Sequence, residues 1–243
     1  MSDYAIRRDL VARCLEMNAT GLNQGTSGNL SARHDGGMLI TPSGIPYDQL
    51  RAVDIVRVEM DGRYRHPLAP SSEWRIHRDI LASSPAVNAV VHAHPTYCTA
   101  LAMRGMEIPA AHYMVAISGG HSIRCAPYAT YGTQALSDAA VRALAGRTAC
   151  LLANHGLIAT GPSLAKAMWL AVEVETLARQ YVVALLLGGA NILADDEIER
   201  VVERFKEYGM KAAPAAADRR QSRRRGAPSR PLRWRRRRPP ATR

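Results

Sequence analysis

The chain has 243 residues, of which 47% are hydrophobic, and a formal net charge of +11. This length and composition allow one well-buried core, so they exclude a chain that is disordered throughout. The charge does not indicate a basic, nucleic-acid-binding body, because residues 218–243 contain 12 Arg and one Asp, whereas the other 20 Lys and Arg are balanced by 20 Asp and Glu.

We therefore predict one α/β domain over residues 1–210, followed by an Arg/Pro/Ala-rich tail over residues 211–243. The tail has too few apolar side chains to fold, and we expect it to be disordered. Its arginines would bind nucleic acids or other polyanions only non-specifically and in a salt-sensitive way. A selected nucleic-acid role for the tail is the alternative, but no recognition motif accompanies it.

The cysteines and the apolar runs predict a cytoplasmic protein that does not enter a membrane. The first residues carry no secretory pattern, and the four cysteines are scattered without a C-x-x-C pair, which is typical of a reducing compartment. These cysteines are Cys14, Cys98, Cys125 and Cys150. The most apolar run, residues 181–187, is too short to span a bilayer.

The N-terminal part of the chain predicts one helix followed by strands. Apolar residues recur at helical spacing between residues 3 and 20, and Gly21 marks the end of this helix. The apolar positions are Ile6, Leu10, Cys14 and Met17. Three short runs separated by turn signals then predict strands, over residues 29–33, 37–41 and 54–59.

The middle of the chain alternates helices and strands. Residues 71–81 predict a helix with a serine N-cap, in which Glu73 and His77 share one face. A β-branched strand follows and runs into the pair His92 and His94. The next predicted elements are helices over 96–103 and 133–145 and a strand over 149–153.

Two helices complete the pattern. The sequence Gly161-Pro162-Ser163 begins a long helix that Gly188-Gly189 ends, and a last helix is predicted over residues 195–208. No internal repeat is evident. The alternation predicts an α/β fold, an α/β/α sandwich around a mixed sheet.

Three histidines indicate a metal site. In a strand, His92 and His94 lie two residues apart, so period-2 geometry turns both imidazoles to one face. His155 ends a second apolar run and precedes Gly156, which allows a sharp turn beside a ligand. Three neutral imidazoles suit Zn²⁺ in a catalytic site with an exchangeable position. The competing interpretation is a pair of hydrogen-bonded core histidines.

Three Gly/Ser/Thr patches, at residues 25–29, 41–44 and 71–72, predict a neutral cradle for a phosphate monoester. Each patch offers small hydroxyls and open backbone N–H groups, and the third precedes a predicted helix, whose dipole favours an anion. The alternative is three ordinary turns. A nucleotide P-loop is excluded because the chain has no G-x-x-x-x-G-K-[ST] motif.

Glu73 directly follows the third patch, so its carboxylate could lie near both the phosphate and the metal. A carboxylate in this place could transfer protons beside a Lewis acid. The alternative is a glutamate that only favours the N-terminal end of a helix.

Six motifs occur in order and together resemble the class II aldolase/adducin family. The resemblance covers about residues 5–210, and the arginine-rich tail lies outside it. The motifs are GLNQGTSGN (21–29), LITPSGIPY (39–47), PSSEW (70–74), VVHAH (90–94), APYAT (126–130) and NHGLI (154–158).

The resemblance implies a fold and a set of site residues. The fold would be a three-layer α/β/α sandwich around a mixed, largely antiparallel sheet. One Zn²⁺ per subunit, or another divalent metal, would bind to Glu73, His92, His94 and His155. The substrate phosphate would bind to Gly28, Asn29, Ser43, Gly44, Ser71 and Ser72. The aldehyde pocket would contain Tyr131, Phe205 and Tyr208.

The resemblance also implies an aldehyde-lyase reaction. The enzyme would cleave a ketose 1-phosphate of the L-fuculose 1-phosphate type to dihydroxyacetone phosphate and a short aldehyde such as L-lactaldehyde. Glu73 would be the acid/base, after displacement from the metal. Tyr113 would reach the site from a neighbouring subunit, so the active sites would lie at the interfaces of a homotetramer.

Two departures from the family pattern leave the aldehyde product open. Tyr131 stands where phenylalanine is expected, and Ala153-Asn154 replaces the usual polar residues before His155. The alternatives are an aldolase for 5-deoxyribulose 1-phosphate or 5-methylthioribulose 1-phosphate in a salvage pathway, or a ribulose-phosphate 4-epimerase, whose additional acid/base pattern is not evident. A related dehydratase is disfavoured, and a non-enzymatic adducin-like module would lack the three histidines.

Overall fold

The computed structural model describes residues 2–207 of the chain. The predicted tail and Tyr208 lie outside these residues. The described helices include none that is long and apolar enough to cross a membrane.

Within residues 2–207, nine strands form one large mixed sheet and one small sheet. They are β1 (Asn29–His34), β2 (Gly37–Ile40), β3 (Val56–Glu59), β4 (Ala89–Ala93), β5 (Ile108–Pro109), β6 (Ser122–Ile123), β7 (Cys125–Ala126), β8 (Ala149–Leu152) and β9 (Gly156–Gly161). The large sheet has the strand order β3-β2-β1-β4-β9-β8-β7. Its neighbouring strands are antiparallel except β7 and β8, which are parallel.

Six α-helices connect or follow the strands. They are α1 (Asp3–Ala19), α2 (Trp74–Ser83), α3 (Thr96–Met103), α4 (Gln134–Ala143), α5 (Leu164–Leu186) and α6 (Asp195–Glu207). Side-chain oxygens of Ser2, Thr133 and Ser163 accept a hydrogen bond from the first turn of α1, α4 and α5, respectively. These caps satisfy amide groups that the helix itself leaves unpaired.

Two hydrophobic cores lie on opposite faces of the large sheet. One core contains the buried side chains of α1, α3 and α5, and the other those of α2 and α4. Strand alternation divides the sheet accordingly, since Val91 contributes to the first core and Val90 to the second. The predicted α/β/α sandwich around a mixed, largely antiparallel sheet is confirmed.

The structure corrects two predicted boundaries. Glu73, and neither serine, is the N-cap residue of α2, because the helix begins at Trp74. The third strand begins at Val56 instead of residue 54, because Ala52–Asp54 form a 3-10 turn in which Asp54 accepts a hydrogen bond from the Arg51 amide. The strand β9 was not predicted.

The register of the central strands brings polar residues to one place. Asn29 of β1 lies opposite His92 of β4, which in turn lies opposite Ile158 of β9. Because Val90 faces the core beneath α2, period-2 alternation turns His92 to that same face. Asn29 and Ser31 face the same way, since Leu30 between them belongs to the opposite core.

Arg33 holds α2 over this face. Its guanidinium donates hydrogen bonds to the backbone carbonyls of Leu81 at 2.5 Å, Ser84 at 3.1 Å and Val87 at 2.9 Å. These carbonyls belong to the C-terminal end of α2 and the loop behind it, so β1 and the helix are tied together. The N-terminal end of α2, which carries Glu73, therefore lies against β1 and β4.

Candidate active site

Four side chains from three parts of the chain meet at one end of the central strands. His92 is in β4, His94 follows its end, His155 is in the turn between β8 and β9, and Glu73 precedes α2. The three imidazole centroids are 4.7 to 4.9 Å apart. The candidate ligand atoms of the four residues all lie within 4.8 Å of one another.

The turn from β8 to β9 requires an unusual backbone. Asn154 has a left-handed conformation with φ of 55°, which asparagine tolerates better than most residues. Gly156 follows, and a Cβ atom there would lie 2.7 Å from Cδ2 of His94 and would also collide with the Ala93 carbonyl. The absence of a side chain at Gly156 therefore allows His155 and His94 to approach each other.

The contacts among the four side chains leave lone pairs directed at a common point. Nδ1 of His92 lies 3.0 Å from the carbonyl oxygen of Leu157, so this nitrogen carries the proton and Nε2 of a neutral His92 has a free lone pair. That Nε2 lies 2.9 Å from Nε2 of His94 and 3.1 Å from Oε2 of Glu73. Such close acceptors repel one another unless a proton or a metal cation lies among them.

The charges of the site follow from burial and mutual contact. Burial alone would raise the pKa of Glu73, but the charge and hydrogen bond of His92, helped by His155 and Asn29, bring this pKa well below its usual range. Burial, followed by the charge on His92, lowers the pKa of His94 to about 3 and that of His155 to about 4. Burial would lower the pKa of His92, but the charge and hydrogen bond of Glu73, helped by the Leu157 carbonyl, raise this pKa above its usual value. Without a metal, His92 therefore carries the positive charge beside an ionised Glu73, whereas His94 and His155 are neutral; a bound cation would take the place of the proton on Nε2 of His92.

The donor set fits a divalent metal ion. Oε1 of Glu73 is buried and makes no hydrogen bond within the described residues, although Nε2 of His155 lies 3.3 Å away. A buried carboxylate oxygen without a partner is costly, and a cation would satisfy it together with the imidazole lone pairs. Three nitrogens and a carboxylate are ligands that transition metals of the zinc type accept.

A cavity of about 380 Å³ opens beside this cluster. Its lining includes every residue predicted to bind phosphate: Gly28, Asn29, Ser43, Gly44, Ser71 and Ser72. The lining also includes Glu73, His94 and His155, so the cradle and the candidate metal ligands share one space. Neither Lys nor Arg lines this cavity in the described part of the chain.

Backbone hydrogen bonds hold the three small-residue loops together. The amide of Ser71 donates to the Thr41 carbonyl at 2.9 Å, and the amide of Ser43 donates to the Ala69 carbonyl at 3.1 Å. The buried hydroxyl of Tyr47 donates to the carbonyl oxygen of Gly28. The cradle is therefore built by long-range contacts and is not three independent turns.

Six cavity residues were given no role of their own from the sequence. They are Thr26, Ser27, Pro42, Tyr128, Ala129 and Asn154. Thr26 and Ser27 lie within the first predicted patch, and Tyr128 lies within one of the six motifs. The sequence therefore marked the segments that contain these residues but did not indicate what each residue does. Asn154 could have been found from its position directly before His155.

Tyr131 also lines this cavity and is largely exposed. Tyr113 begins the 3-10 helix Tyr113–Ser118, is half exposed, and stacks on His112 with ring centroids 4.8 Å apart. Phe205 of α6 lies next to it, at 6.4 Å between centroids. Neither Tyr113 nor Phe205 lines the cavity within one chain, and Tyr208 is outside the described residues.

Comparison with known proteins gives one consistent result. The sequence model of the class II aldolase and adducin N-terminal domain matches residues 8–182. A 5-methylthioribulose-1-phosphate/5-deoxyribulose-1-phosphate aldolase of Rhodospirillum rubrum is 53% identical over 208 residues, which cover 86% of this chain and 94% of the relative. An L-fuculose phosphate aldolase of Escherichia coli is 49% identical over 212 residues, which cover 87% and 99%.

The fold comparison agrees. A solved structure of an L-fuculose 1-phosphate aldolase superposes with a TM-score of 0.81 at 38% sequence identity. The match covers 83% of this chain and 96% of that chain.

Proposed function

Because the chain belongs to the class II aldolase and adducin family and is an aldehyde-lyase, we propose that it cleaves a ketose 1-phosphate between C3 and C4. The products would be dihydroxyacetone phosphate and a short aldehyde. The observation that carries this proposal is the shared space of the phosphate cradle and the Glu/His₃ cluster.

The proposed metal is Zn²⁺, held by His92, His94 and His155 with Glu73 as a further ligand in the resting enzyme. The buried lone pairs described above support this assignment. When bound, a divalent cation supplies Lewis-acid polarisation of the substrate carbonyl. The loops supply the other half of substrate binding, since hydroxyls and backbone amides at residues 26–29, 43–44 and 71–72 can hold a phosphate monoester without a cationic side chain.

Glu73 is proposed as the group that moves a proton at C3 of the substrate. Its carboxylate lines the cavity between the cradle and the histidines, and it is ionised in the resting site. When C3–C4 cleavage leaves an electron pair on the dihydroxyacetone phosphate fragment, a proton must be delivered to C3. The ionised Glu73 carboxylate must therefore first take up a proton from solvent in the open cavity, after which it can deliver that proton to C3; in the reverse, aldol direction the carboxylate removes the same proton.

Tyr113 is proposed to take the proton of the C4 hydroxyl from a neighbouring subunit. Within one chain, this tyrosine lies beside Phe205 and outside the cavity, so its participation requires a second copy. Exposed apolar side chains on α5 and at its C-terminal end support association: Trp169, Val172, Val183, Leu186 and Leu187. We infer a homotetramer, the state in which cyclic symmetry repeats one such interface four times.

Two substrate classes fit the proposed reaction. L-Fuculose 1-phosphate would give L-lactaldehyde, whereas 5-deoxyribulose 1-phosphate and 5-methylthioribulose 1-phosphate would give acetaldehyde or its methylthio derivative. Relatives of both classes match most of this chain at about half identity. The second class is retained because the Rhodospirillum rubrum relative is 53% identical and because Tyr131, which departs from the family pattern, lines the cavity.

The test is cleavage of the three ketose 1-phosphates by the zinc-loaded protein, with dihydroxyacetone phosphate as the common product. A kcat/KM highest for L-fuculose 1-phosphate assigns the enzyme to that substrate, and equal or better use of the other two assigns it to 5-deoxypentose phosphates. If none of the three substrates yields dihydroxyacetone phosphate, the proposed function is contradicted. A ribulose-phosphate 4-epimerase is then the candidate function.

A further inference from the structure

A chain of buried polar side chains runs from the core to Glu73. Nδ1 of His77 lies 2.7 Å from the hydroxyl of Ser31, and Nε2 of His77 lies 2.5 Å from Oδ1 of Asn29. Nδ2 of Asn29 then donates to Oε2 of Glu73 at 3.0 Å. Ser31 and His77 are fully buried, and Asn29 is 4% exposed.

The hydrogen bonds in this chain can run in only one direction. An ionised Glu73 accepts and cannot donate, so Asn29 must turn its NH₂ group to the carboxylate and its Oδ1 to His77. Nε2 of His77 must then carry the proton, and Nδ1 must accept from the Ser31 hydroxyl. The charge state agrees, because burial lowers the pKa of His77 to about 3 and keeps the ring neutral.

Stability alone does not explain a histidine at this position. Its helix neighbours Ile76 and Ile80 are buried in the apolar core between α2 and the sheet. An apolar side chain at position 77 would bury more hydrocarbon in this core and would not remove polar atoms from water. A completely satisfied polar network rigidifies and orients its members. The member at the end of this network is Glu73.

We propose that His77 is a positioning residue that fixes the orientation of the Asn29 amide, and through it the Glu73 carboxylate. The amide donates to Oε2, which also lies 3.1 Å from Nε2 of His92, and so leaves Oε1, the oxygen without a hydrogen bond in the described structure, available to a cation beside His155. If the amide were reversed, Oδ1 would face Oε2 at hydrogen-bond distance, and the two oxygens would repel each other. The inference rests on the proposed function insofar as Glu73 is the metal ligand and proton carrier.

The first test compares His77→Phe, which keeps a ring and removes both hydrogen bonds, with His77→Gln, which keeps a donor for Asn29. We expect His77→Phe to lower kcat/KM and the affinity for Zn²⁺ by about 10- to 100-fold, the usual effect of losing a partner of a metal ligand. The loss should be mainly in kcat, because Glu73 and not the phosphate is mispositioned. His77→Gln should recover part of both quantities.

Thr160→Val is the matched control. Thr160 is 3% exposed, and its hydroxyl donates a buried hydrogen bond to the Thr148 carbonyl towards the other end of β9. The control should lower the melting temperature without changing zinc affinity or kcat. A His77→Phe protein that binds zinc and turns over like this control would overturn the proposal.

The second test determines which ring nitrogen of His77 carries the proton. Long-range ¹H–¹⁵N correlation of the histidine-labelled, zinc-loaded protein should show the proton on Nε2, and a proton on Nδ1 would refute the proposed direction. If His77→Phe does not fold, Ser31→Ala provides the variant. The proton should stay on Nε2, because Asn29 and Glu73 still fix that end, but the ring loses its Nδ1 partner and zinc binding should weaken; unchanged zinc affinity would count against the chain.

These readouts separate the inference from the proposed function. If the unaltered protein cleaves none of the three ketose 1-phosphates, the proposed function fails. Two measurements that need no substrate still decide whether His77 positions Glu73. They are the tautomer of His77 and the zinc affinity of each variant, determined by competition with a chromophoric chelator.

Discussion

The two carboxylate oxygens of Glu73 have different surroundings, and this difference suits a residue that both binds a metal and moves a proton. Oε2 accepts from Asn29 at 3.0 Å and lies 3.1 Å from Nε2 of His92, whereas Oε1 makes no hydrogen bond in the described structure and lies 3.3 Å from Nε2 of His155. A carboxylate held through one oxygen can exchange the partner of the other without leaving the site.

At this residue we predict that Glu73→Gln retains most of the bound zinc and loses turnover. The three imidazoles remain as ligands, but an amide cannot carry the proton, so kcat should fall by about 10²- to 10⁴-fold. Metal analysis and kcat on the same preparation provide the measurement. His155→Ala is the comparison, because it should lose zinc as well. Turnover of Glu73→Gln at the unaltered rate would exclude the acid/base role.

At the scale of elements, the site depends on how closely the end of β4 approaches the start of β9. The register places Ala93 opposite Leu157, and the lack of a side chain at Gly156 leaves room for the ring of His94. The same strand contains a second crowded glycine at its other end, since a Cβ atom on Gly161 would lie 2.8 Å from the Ala167 amide nitrogen.

We predict that Gly156→Ala and Gly161→Ala both destabilise the protein but only the first weakens zinc binding. The added methyl group at Gly156 must displace His94, so the zinc affinity should fall by about tenfold or more. The methyl group at Gly161 displaces α5, away from the ligands. Melting temperatures and chelator competition measure the two effects. Equal zinc affinity in both variants would contradict the geometric argument.

The element pattern was largely predictable, because periodicity is a local property of the sequence. The structure agrees with the predicted segments of the helices α1, α3, α4 and α5. The bounds of β1 and β2 differ from the predicted ones by at most one residue. The start of α2 and of β3 was not predictable, because a turn hydrogen bond at Asp54 and the loop contacts at Ser71 decide those boundaries. Strand β9 was not predicted although Gly156 was recognised as a turn residue, and strands β5, β6 and β7 were not predicted because two residues are too few to show a strand period.

At the scale of the whole molecule, one chain does not assemble all the predicted residues. Phe205 packs against Ala110 and Ala116, and Tyr113 lies beside it, whereas Glu73, His94 and His155 line the cavity. The sequence resemblance implied this separation for Tyr113, and the tertiary structure of the chain is compatible with it.

We predict that two inactive variants restore activity when they share an oligomer. Co-expression of Tyr113→Phe with Glu73→Gln, under two affinity tags, should yield mixed oligomers in which about a quarter of the sites combine an intact Tyr113 with an intact Glu73. The activity of doubly purified material is the measurement, and each variant alone is the control. Mixed oligomers as inactive as the parents would contradict active sites shared between subunits.

A further whole-molecule prediction concerns the arginine-rich tail. Removal of residues 211–243 should leave kcat/KM unchanged and abolish salt-dependent retention on an immobilised polyanion such as heparin. The reason is that residues 218–243 carry a net charge of +11, the same as the whole chain. Titration of retention against salt tests the charge argument. A large loss of kcat/KM would place the tail in catalysis.

The sequence by itself determined the residue types of the site and their order. A histidine pair at strand spacing, a histidine before glycine, and three Gly/Ser/Thr patches follow from short-range chemistry, so Zn²⁺ and a phosphate monoester could be predicted before any contact was known. The tertiary structure decided which atoms meet. The direction of the chain from Ser31 through His77 to Glu73, the unpartnered Oε1, and the place of Tyr113 outside the cavity depend on register and on contacts between distant segments, which no local pattern encodes.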